Sequence, residues 1–357
     1  MAGAEIEIRG ISKKYKNVKV LEDVNLKINQ GDFLTILGPS GAGKTTLLKM
    51  IAGFEQPESG EIYVDGEDIL KKPVHKRNIG MLFQNYALFP HMTVRENIAY
   101  PLKIRKMKKQ DIEEKVLEIL KYIQLEKFAE RYPRQLSGGQ QQRVALGRAI
   151  VFKPRVLLLD EPLGALDKQL RKQMQLEIKR MHEDMGLTTI SVTHDQEEAL
   201  TMSTKVCVMK NGMIAQVSTP ERIYSKPKNV FVATFIGEAN IINTKVKDSK
   251  GDLRCVELFG KDVWVEKGPY YLEKNVETSV VIRPEKIHLV NEEYDGLKFG
   301  GLVQETIYIG DILKIKMRMD NGDTVDLKIF TSAETRISIG DKIWVSFSEK
   351  DVELLVC

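Results

Sequence analysis

Short apolar runs and helical apolar stripes take turns along the first two thirds of the chain. Residues 5–9 and 33–37, the latter Phe33-Leu-Thr-Ile-Leu37, are rich in apolar and β-branched positions bounded by Gly or polar turns, which predicts strands. The second runs straight into Gly38. The segment Lys44–Ala52 has helical composition and meets a stop at Gly53. Ile112, Val116, Ile119 and Leu120 recur at helical spacing, which predicts an amphipathic helix over 107–131. A further helix over 139–152 is halted by Lys153-Pro154. Residues 155–160 then form a continuous apolar strand, as expected in a parallel sheet covered on both faces. A helix over 168–185, a strand over Thr188–Thr193 and a helix over Gln196–Met202 continue the alternation. Strand following helix in this way predicts an α/β sandwich with a mainly parallel sheet.

Near residue 237 the pattern changes. Short alternating strands at 241–246, 280–282, Ile312–Met319 and 325–329 are separated by Gly turns such as Asn321-Gly322. This predicts a small all-β barrel or sandwich of the oligonucleotide/oligosaccharide-binding (OB) type. The expected division is an α/β P-loop domain at 1–236 and a β domain at 237–357, with the join between 227 and 243.

Composition narrows the class. A chain of 357 residues, 42% apolar and 29% charged, has the make-up of a folded two-domain protein. No run approaches the roughly 18 apolar residues of a membrane-spanning helix, and the N-terminus lacks the basic and apolar regions of a signal peptide. A location in the cytoplasm is expected. Cys207, Cys255 and Cys357 are scattered and odd in number, which argues against metal binding and a disulfide framework. From residue 237 onward there are 17 Lys and Arg against 22 Asp and Glu, a net of −5; the rest carries 37 against 28, a net of +9. The basic part suits polyphosphate or a membrane surface. The acidic part argues against a nucleic-acid-binding face.

Three motifs carry chemistry. Gly38-Pro39-Ser40-Gly41-Ala42-Gly43-Lys44-Thr45 is a P-loop, placed between a strand and a helix. Small residues let its backbone N–H groups converge on phosphate oxygens, and the following helix aims its positive end there. Lys44 is expected to reach the β- and γ-phosphates and Thr45 to bind Mg²⁺. Val156-Leu157-Leu158-Leu159-Asp160-Glu161 places two carboxylates where an apolar strand ends, at the sheet edge that binds ligands in open α/β folds. Asp160 is the expected Mg²⁺ ligand and Glu161 the base that polarises the attacking water. Leu136-Ser137-Gly138-Gly139-Gln140 offers a hydroxyl, two close-approach glycines and a helix start, a second phosphate cradle.

This third motif resembles the signature sequence of the ATP-binding cassette (ABC) family, and the resemblance covers the whole chain. It implies an ABC ATPase domain with a helical subdomain, and a head-to-tail homodimer. In that dimer Ser137, Gly138, Gly139 and Gln140 of one copy close over ATP held by residues 38–45 and Thr46 of the other. Tyr15, followed by Val20, matches the aromatic position that stacks on adenine. Gln84 matches the glutamine that senses Mg²⁺ and links to the membrane partner. Asp167 matches the loop that communicates across the dimer, and His194 the switch histidine that contacts the γ-phosphate. Gly147 departs from the alanine common in relatives and is expected to soften its helix by about 1 kcal/mol.

The segment Ser218-Thr-Pro-Glu-Arg-Ile-Tyr224, the stretch Phe231-Val-Ala-Thr-Phe-Ile-Gly237 and Arg283-Pro284-Glu285 resemble bacterial importers whose ATPase carries a C-terminal regulatory β domain. Phe235-Ile-Gly-Glu-Ala-Asn240 is most similar to polyamine importers, with iron(III), sugar and phosphonate importers as alternatives. The resemblance implies an ATPase driving a separate permease of two transmembrane subunits at the cytoplasmic membrane face, fed by a solute-binding protein. A non-transport ATPase of the same family is the competing class. Residues 85–100 are apolar for a loop region, and we expect them to form the groove that receives a permease helix; a contribution to the core is the alternative. The basic run 103–109 either faces acidic lipid or is a solvated helix face.

Overall fold

A computed structural model describes residues 3–164, 166–267, 274–331 and 336–355. Ala165, in the loop before Asp167, and Cys357 lie outside the described residues. The chain divides into two compact units, Met1–Glu221 and Arg222–Cys357.

The first unit opens with two long strands, β1 (Ile6–Tyr15) and β2 (Val18–Ile28). Then come β3 (Phe33–Leu37), α1 (Lys44–Ala52), β4 (Ser59–Val64), β5 (Glu67–Asp68) and β6 (Ile79–Leu82). The helical part comprises α2 (Val94–Ile104), α3 (Lys109–Tyr122) and α4 (Gly138–Ile150). It is followed by β7 (Val156–Asp160), α5 (Lys168–Met185), β8 (Thr188–Thr193), α6 (Gln196–Met202), β9 (Lys205–Lys210) and β10 (Met213–Ser218), and α7 (Pro220–Ser225) runs across the division between the units. Two sheets result. One is antiparallel, in the order β2-β1-β4-β5. The other runs β10-β9-β3-β8-β7-β6, parallel except for the β9–β10 hairpin.

The continuous apolar strands are explained by two cores that share the parallel sheet. In β7, Val156 and Leu158 enter one core with α1 and the antiparallel sheet, while Leu157 and Leu159 enter the other, with α2 to α5. Successive side chains of a strand point to opposite faces, so a strand covered twice is apolar at every position.

Two expectations need correction here. The apolar segment 85–100 is not a loop throughout, because α2 begins at Val94. Thr93 and Glu96 form a reciprocal capping box that starts it. Leu88 packs against the helical core, so its apolar character is a core contribution. The helix expected over 107–131 ends at Tyr122; Gln124 is left-handed at φ 58° and a single 3₁₀ turn, Glu126–Phe128, follows.

Among its described residues the second unit holds α8 (Val230–Phe235) and ten strands. β11 (Asn240–Lys250), β12 (Leu253–Leu258), β13 (Lys261–Glu266) and β14 (Glu277–Ile282) belong to one antiparallel sheet, together with β20 (Val352–Leu355). β15 (His288–Val290), β16 (Phe299–Ile309), β17 (Ile312–Met319), β18 (Thr324–Phe330) and β19 (Lys342–Ser346) form the other. Their orders are β13-β12-β11-β14-β20 and β15-β19-β16-β17-β18, and both line one apolar core.

The unit begins ahead of residue 237, where the sequence changes character, and Arg283 shows why. Its guanidinium donates to the carbonyls of Tyr224 (2.8 Å), Ala233 (2.9 Å) and Glu238 (3.0 Å) and lies 4.2 Å over the Tyr224 ring. The Tyr224 hydroxyl donates to Glu285 at 2.5 Å. The motif Arg283-Pro284-Glu285 thus clips Tyr224 at the end of α7, α8 and the chain just after it to the β strands of the same unit.

Candidate functional site

The P-loop leaves β3 and enters α1 through positions where only glycine fits. A Cβ on Gly38 would meet the Met209 carbonyl at 2.4 Å, and Gly43, at φ 92°, would place one 2.6 Å from the Val20 carbonyl. Val20 therefore lies directly against the loop. Gly43 caps α1 without a side-chain acceptor, so the first amides of the helix remain donors for an anion.

Lys44 is buried and donates to the carbonyls of Gly38 (2.7 Å) and Pro39 (3.0 Å). Burial lowers its pKa, against the pull of Glu161 and Asp160. The Thr45 hydroxyl donates to Asp160 Oδ1 at 3.3 Å. Burial raises the Asp160 pKa, and the Thr45 hydrogen bond opposes it. Glu161, the residue after β7, holds the left-handed φ of 44°, a conformation that costs a non-glycine residue energy. Its N–H donates to the Val192 carbonyl of β8 at 3.0 Å. Gln84 Nε2 donates to its Oε2 at 2.9 Å, and His194 Nδ1 stands 3.4 Å from its Oε1. His194, just beyond β8, has a side chain 62% exposed. Lys44, Thr45, Gln84, Asp160, Glu161 and His194 thus converge at the C-terminal ends of the parallel strands, where ligands bind in open α/β sheets.

Tyr15 stands exposed at the end of β1. Its hydroxyl interacts with Thr46, the residue after Thr45, and with Glu55; burial and Glu55 raise its pKa while Thr46 lowers it. The Lys13 ammonium lies 5.1 Å over the ring and also donates to the Gln56 carbonyl at 2.7 Å. Lys13 and Glu55 escaped the sequence reading; the two-residue spacing of Lys13 and Tyr15 on one strand was the available signal.

The signature residues are not drawn into this cluster. Ser137 caps α4: its hydroxyl accepts from Gln140 N at 3.4 Å, and Gln140 Oε1 accepts from Ser137 N at 3.0 Å. Gly138 lies against Leu166 of the loop before α5 and Gly139 against Leu170 in the first turn of α5. Asp167 is exposed and caps α5, accepting from Leu170 N at 2.9 Å. Gly147 is a close-approach residue. A Cβ there would stand 2.9 Å from Ile119 Cγ2 and 3.1 Å from Ile123 Cδ1, so glycine lets α3 pack onto α4. Between α2 and α3 a groove of about 420 Å³ is lined by Ala99, Met107, Ile112 and Val116, with Arg95 and Lys103 at its rim.

Among the described residues no helix is long and apolar enough to cross a membrane, and no group of three His, Cys, Asp or Glu is placed to hold a metal ion. Cys207 and Cys255 are buried free thiols, and burial pushes that of Cys207 up to about 12.

The "ABC transporter" family profile matches residues 21–164 and the "TOBE domain" profile residues 280–355. The chain is 48% identical over 345 residues to the "Spermidine/putrescine import ATP-binding protein PotA" of Clostridioides difficile, covering 95% of each chain. It is 44% identical over 357 residues to the protein of that name from Spiroplasma citri, covering 98% of this chain and 97% of the relative. The Thermotoga maritima protein of the same name is 45% identical over 333 residues, or 90% and 89% of the two chains. Among solved structures, the dimeric post-hydrolysis state of "the ATP-binding cassette MJ0796 bound to ADP and Pi" aligns with 60% of this chain and 98% of its own, at 34% identity and a TM-score of 0.55. The chain belongs to the ABC transporter family and carries a TOBE domain, as the sequence led us to expect.

Proposed function

We propose that this chain is the ATP-hydrolysing subunit of a polyamine importer, acting as a homodimer at the cytoplasmic membrane face on a separate two-subunit permease served by a solute-binding protein. The observation that carries the reading is the division of the site. Lys44, Thr45, Gln84, Asp160, Glu161 and His194 are gathered, while Ser137, Gly138, Gly139 and Gln140 form a separate cradle capped on itself. A second copy in head-to-tail order would bring its cradle over the first copy's nucleotide. The transported class follows from relatives named for spermidine and putrescine that match nearly the whole chain.

In this reading the adenine stacks on Tyr15 beside Val20. The P-loop amides from Gly38 to Thr46 and the Lys44 ammonium hold the phosphates. The Thr45 hydroxyl and the Asp160 carboxylate, with Gln84 nearby, are the hard oxygen donors that Mg²⁺ takes alongside phosphate and water. Mg²⁺, when bound, supplies charge neutralisation on the β- and γ-phosphates. Glu161 accepts a proton from the attacking water; the bond from Gln84 holds its carboxylate and the bond to Val192 its backbone. His194 contacts the γ-phosphate, and Asp167 reports the state of the site to the other copy. The groove between α2 and α3, lined in part by Arg95, Glu96 and Ala99 of the expected segment 85–100, receives the permease helix.

The test has two parts. Chains carrying Lys44→Ala and chains carrying Gly138→Asp, each inactive alone, should regain a fraction of Mg·ATP hydrolysis when mixed, because one complete site forms per mixed pair. No recovery would refute the divided site. Membrane vesicles holding the chain with its permease should accumulate radiolabelled putrescine only with ATP; hydrolysis without uptake would reject the polyamine assignment.

A further inference from the structure

Two residues after Gln84 the backbone takes a conformation that its side chains resist. Tyr86 and Ala87 are both left-handed, at φ 61° and 45°. Ala87 N–H donates to the Asn85 carbonyl at 2.7 Å and Tyr86 N–H to the Phe83 carbonyl at 2.8 Å. A three-residue turn with a positive φ at its centre is strained, and persists only where its surroundings hold it. The Tyr86 side chain does not hold it by hydrogen bonding: its hydroxyl is buried without a partner.

Arg148 reaches the turn from the last turn of α4. Its Nη1 donates to the Ala87 carbonyl at 2.7 Å and its Nη2 to the Tyr86 carbonyl at 2.8 Å. Its guanidinium lies 5.4 Å over the Phe89 ring, and burial lowers its pKa. A planar fork with two donors fixes both peptide groups at once, which an ammonium cannot do.

We propose that Arg148 is a positioning residue for hydrolysis: by clamping the strained turn of Tyr86 and Ala87, it sets Gln84 at hydrogen-bonding distance from Glu161. This rests on the hydrolytic reading of the site above. Gln84 sits between β6, which ends at Leu82, and the clamped turn, so both flanks of the residue are fixed. The helix that opens at Ser137 thus carries both the cradle, at its start, and the clamp on the turn that follows Gln84, in its last turn.

The test is a double-mutant cycle on the purified full chain with Mg·ATP. Arg148→Met should lower kcat about tenfold with KM for ATP little changed, the pattern of a lost transition-state interaction. Arg148→Lys should restore part of that loss. In a Gln84→Ala background the same Arg148→Met change should lower kcat less than about twofold, because residues that act through one another are not additive. A full tenfold loss in that background, or an effect on KM alone, would overturn the proposal. Should Arg148→Met lose its cooperative melting transition, Ala87→Gly takes its place. Glycine accepts the left-handed φ, so the fold should melt no lower while kcat falls, again only when Gln84 is present. An Ala87→Gly enzyme with the parental kcat would count equally against it. A parental chain that does not hydrolyse Mg·ATP would instead sink the functional reading itself.

Discussion

The two ends of strand β8 carry the same chemistry to opposite purposes. At its C-terminal end stands His194, exposed and 3.4 Å from Glu161. At its N-terminal end, Thr189 meets His182 Nδ1 at 3.0 Å, and the His182 ring is buried edge-on to Phe33 at 5.1 Å. The Thr188 hydroxyl beside it is fully used: it accepts from Ala4 N and Gly31 N, both at 3.0 Å, and donates to the Ala4 carbonyl at 2.7 Å. The C-terminal edge is the reverse. There Asp160 and Lys44 are held away from their ordinary pKa values by burial, and Glu161 sits at a strained φ. One edge of the sheet satisfies its polar groups within the chain; the other keeps charge and strain available for a ligand.

The largest effect that would break this comparison is on Glu161. Glu161→Gln preserves size and the backbone hydrogen bond from the residue's N–H to the Val192 carbonyl but removes the proton acceptor. Turnover should fall about a thousandfold, with melting temperature little changed, and ATP should trap the variant as a dimer. Steady-state hydrolysis and size-exclusion chromatography with Mg·ATP measure both. Near-parental turnover would remove Glu161 from its role and leave the C-terminal edge without a base.

The opposite edge should answer in the opposite way. Thr188→Val keeps the shape of the side chain but strands the amide and carbonyl of buried Ala4 and takes a partner from the exposed Gly31 amide. Unsatisfied buried groups cost about 1–3 kcal/mol each, offset in part by relaxation. We expect a stability loss of about 2–3 kcal/mol by denaturant unfolding, with kcat and KM at 25 °C near the parental values. A kcat loss that exceeds the loss of folded protein would show that the N-terminal edge also serves the chemistry.

The sequence made the C-terminal edge far more legible than the N-terminal one. Residues 38–45 announce themselves because phosphate binding demands small residues at fixed spacing, and α1 is Lys44–Ala52 as expected. The strand Ile312–Met319 was equally plain, from its alternation. Thr188 and His182 were silent, since nothing local distinguishes a hydroxyl that ties down a terminal strand from one in solvent. Gly147 was read as a softened helix, because the Ile119 side chain that fills its place is 28 residues away in sequence. The helix α2 was legible after all in Thr93 and Glu96, a capping-box spacing that Pro101 within the helix obscured. Arg148 gave no signal, because the carbonyls it holds belong to a turn whose strain only the backbone reveals.

The smallest expected effect tests whether His182 is structural alone. Burial lowers its pKa from the ordinary 6.5, so the folded state favours the neutral ring. The unfolded chain then binds more protons as pH falls below about 6.5, and folding stability declines. The contribution is complete above that value and is lost progressively below it, down to the folded pKa. His182→Gln should flatten the dependence of unfolding free energy on pH below about 6.5 by up to ~1.4 kcal/mol per pH unit, the limit for one proton. Turnover at pH 7.5 should be unaffected, because His182 lies at the edge away from Glu161. If instead the pH–rate profile shifted with this substitution, the two ends of β8 would be coupled, and the division of labour between them would fail.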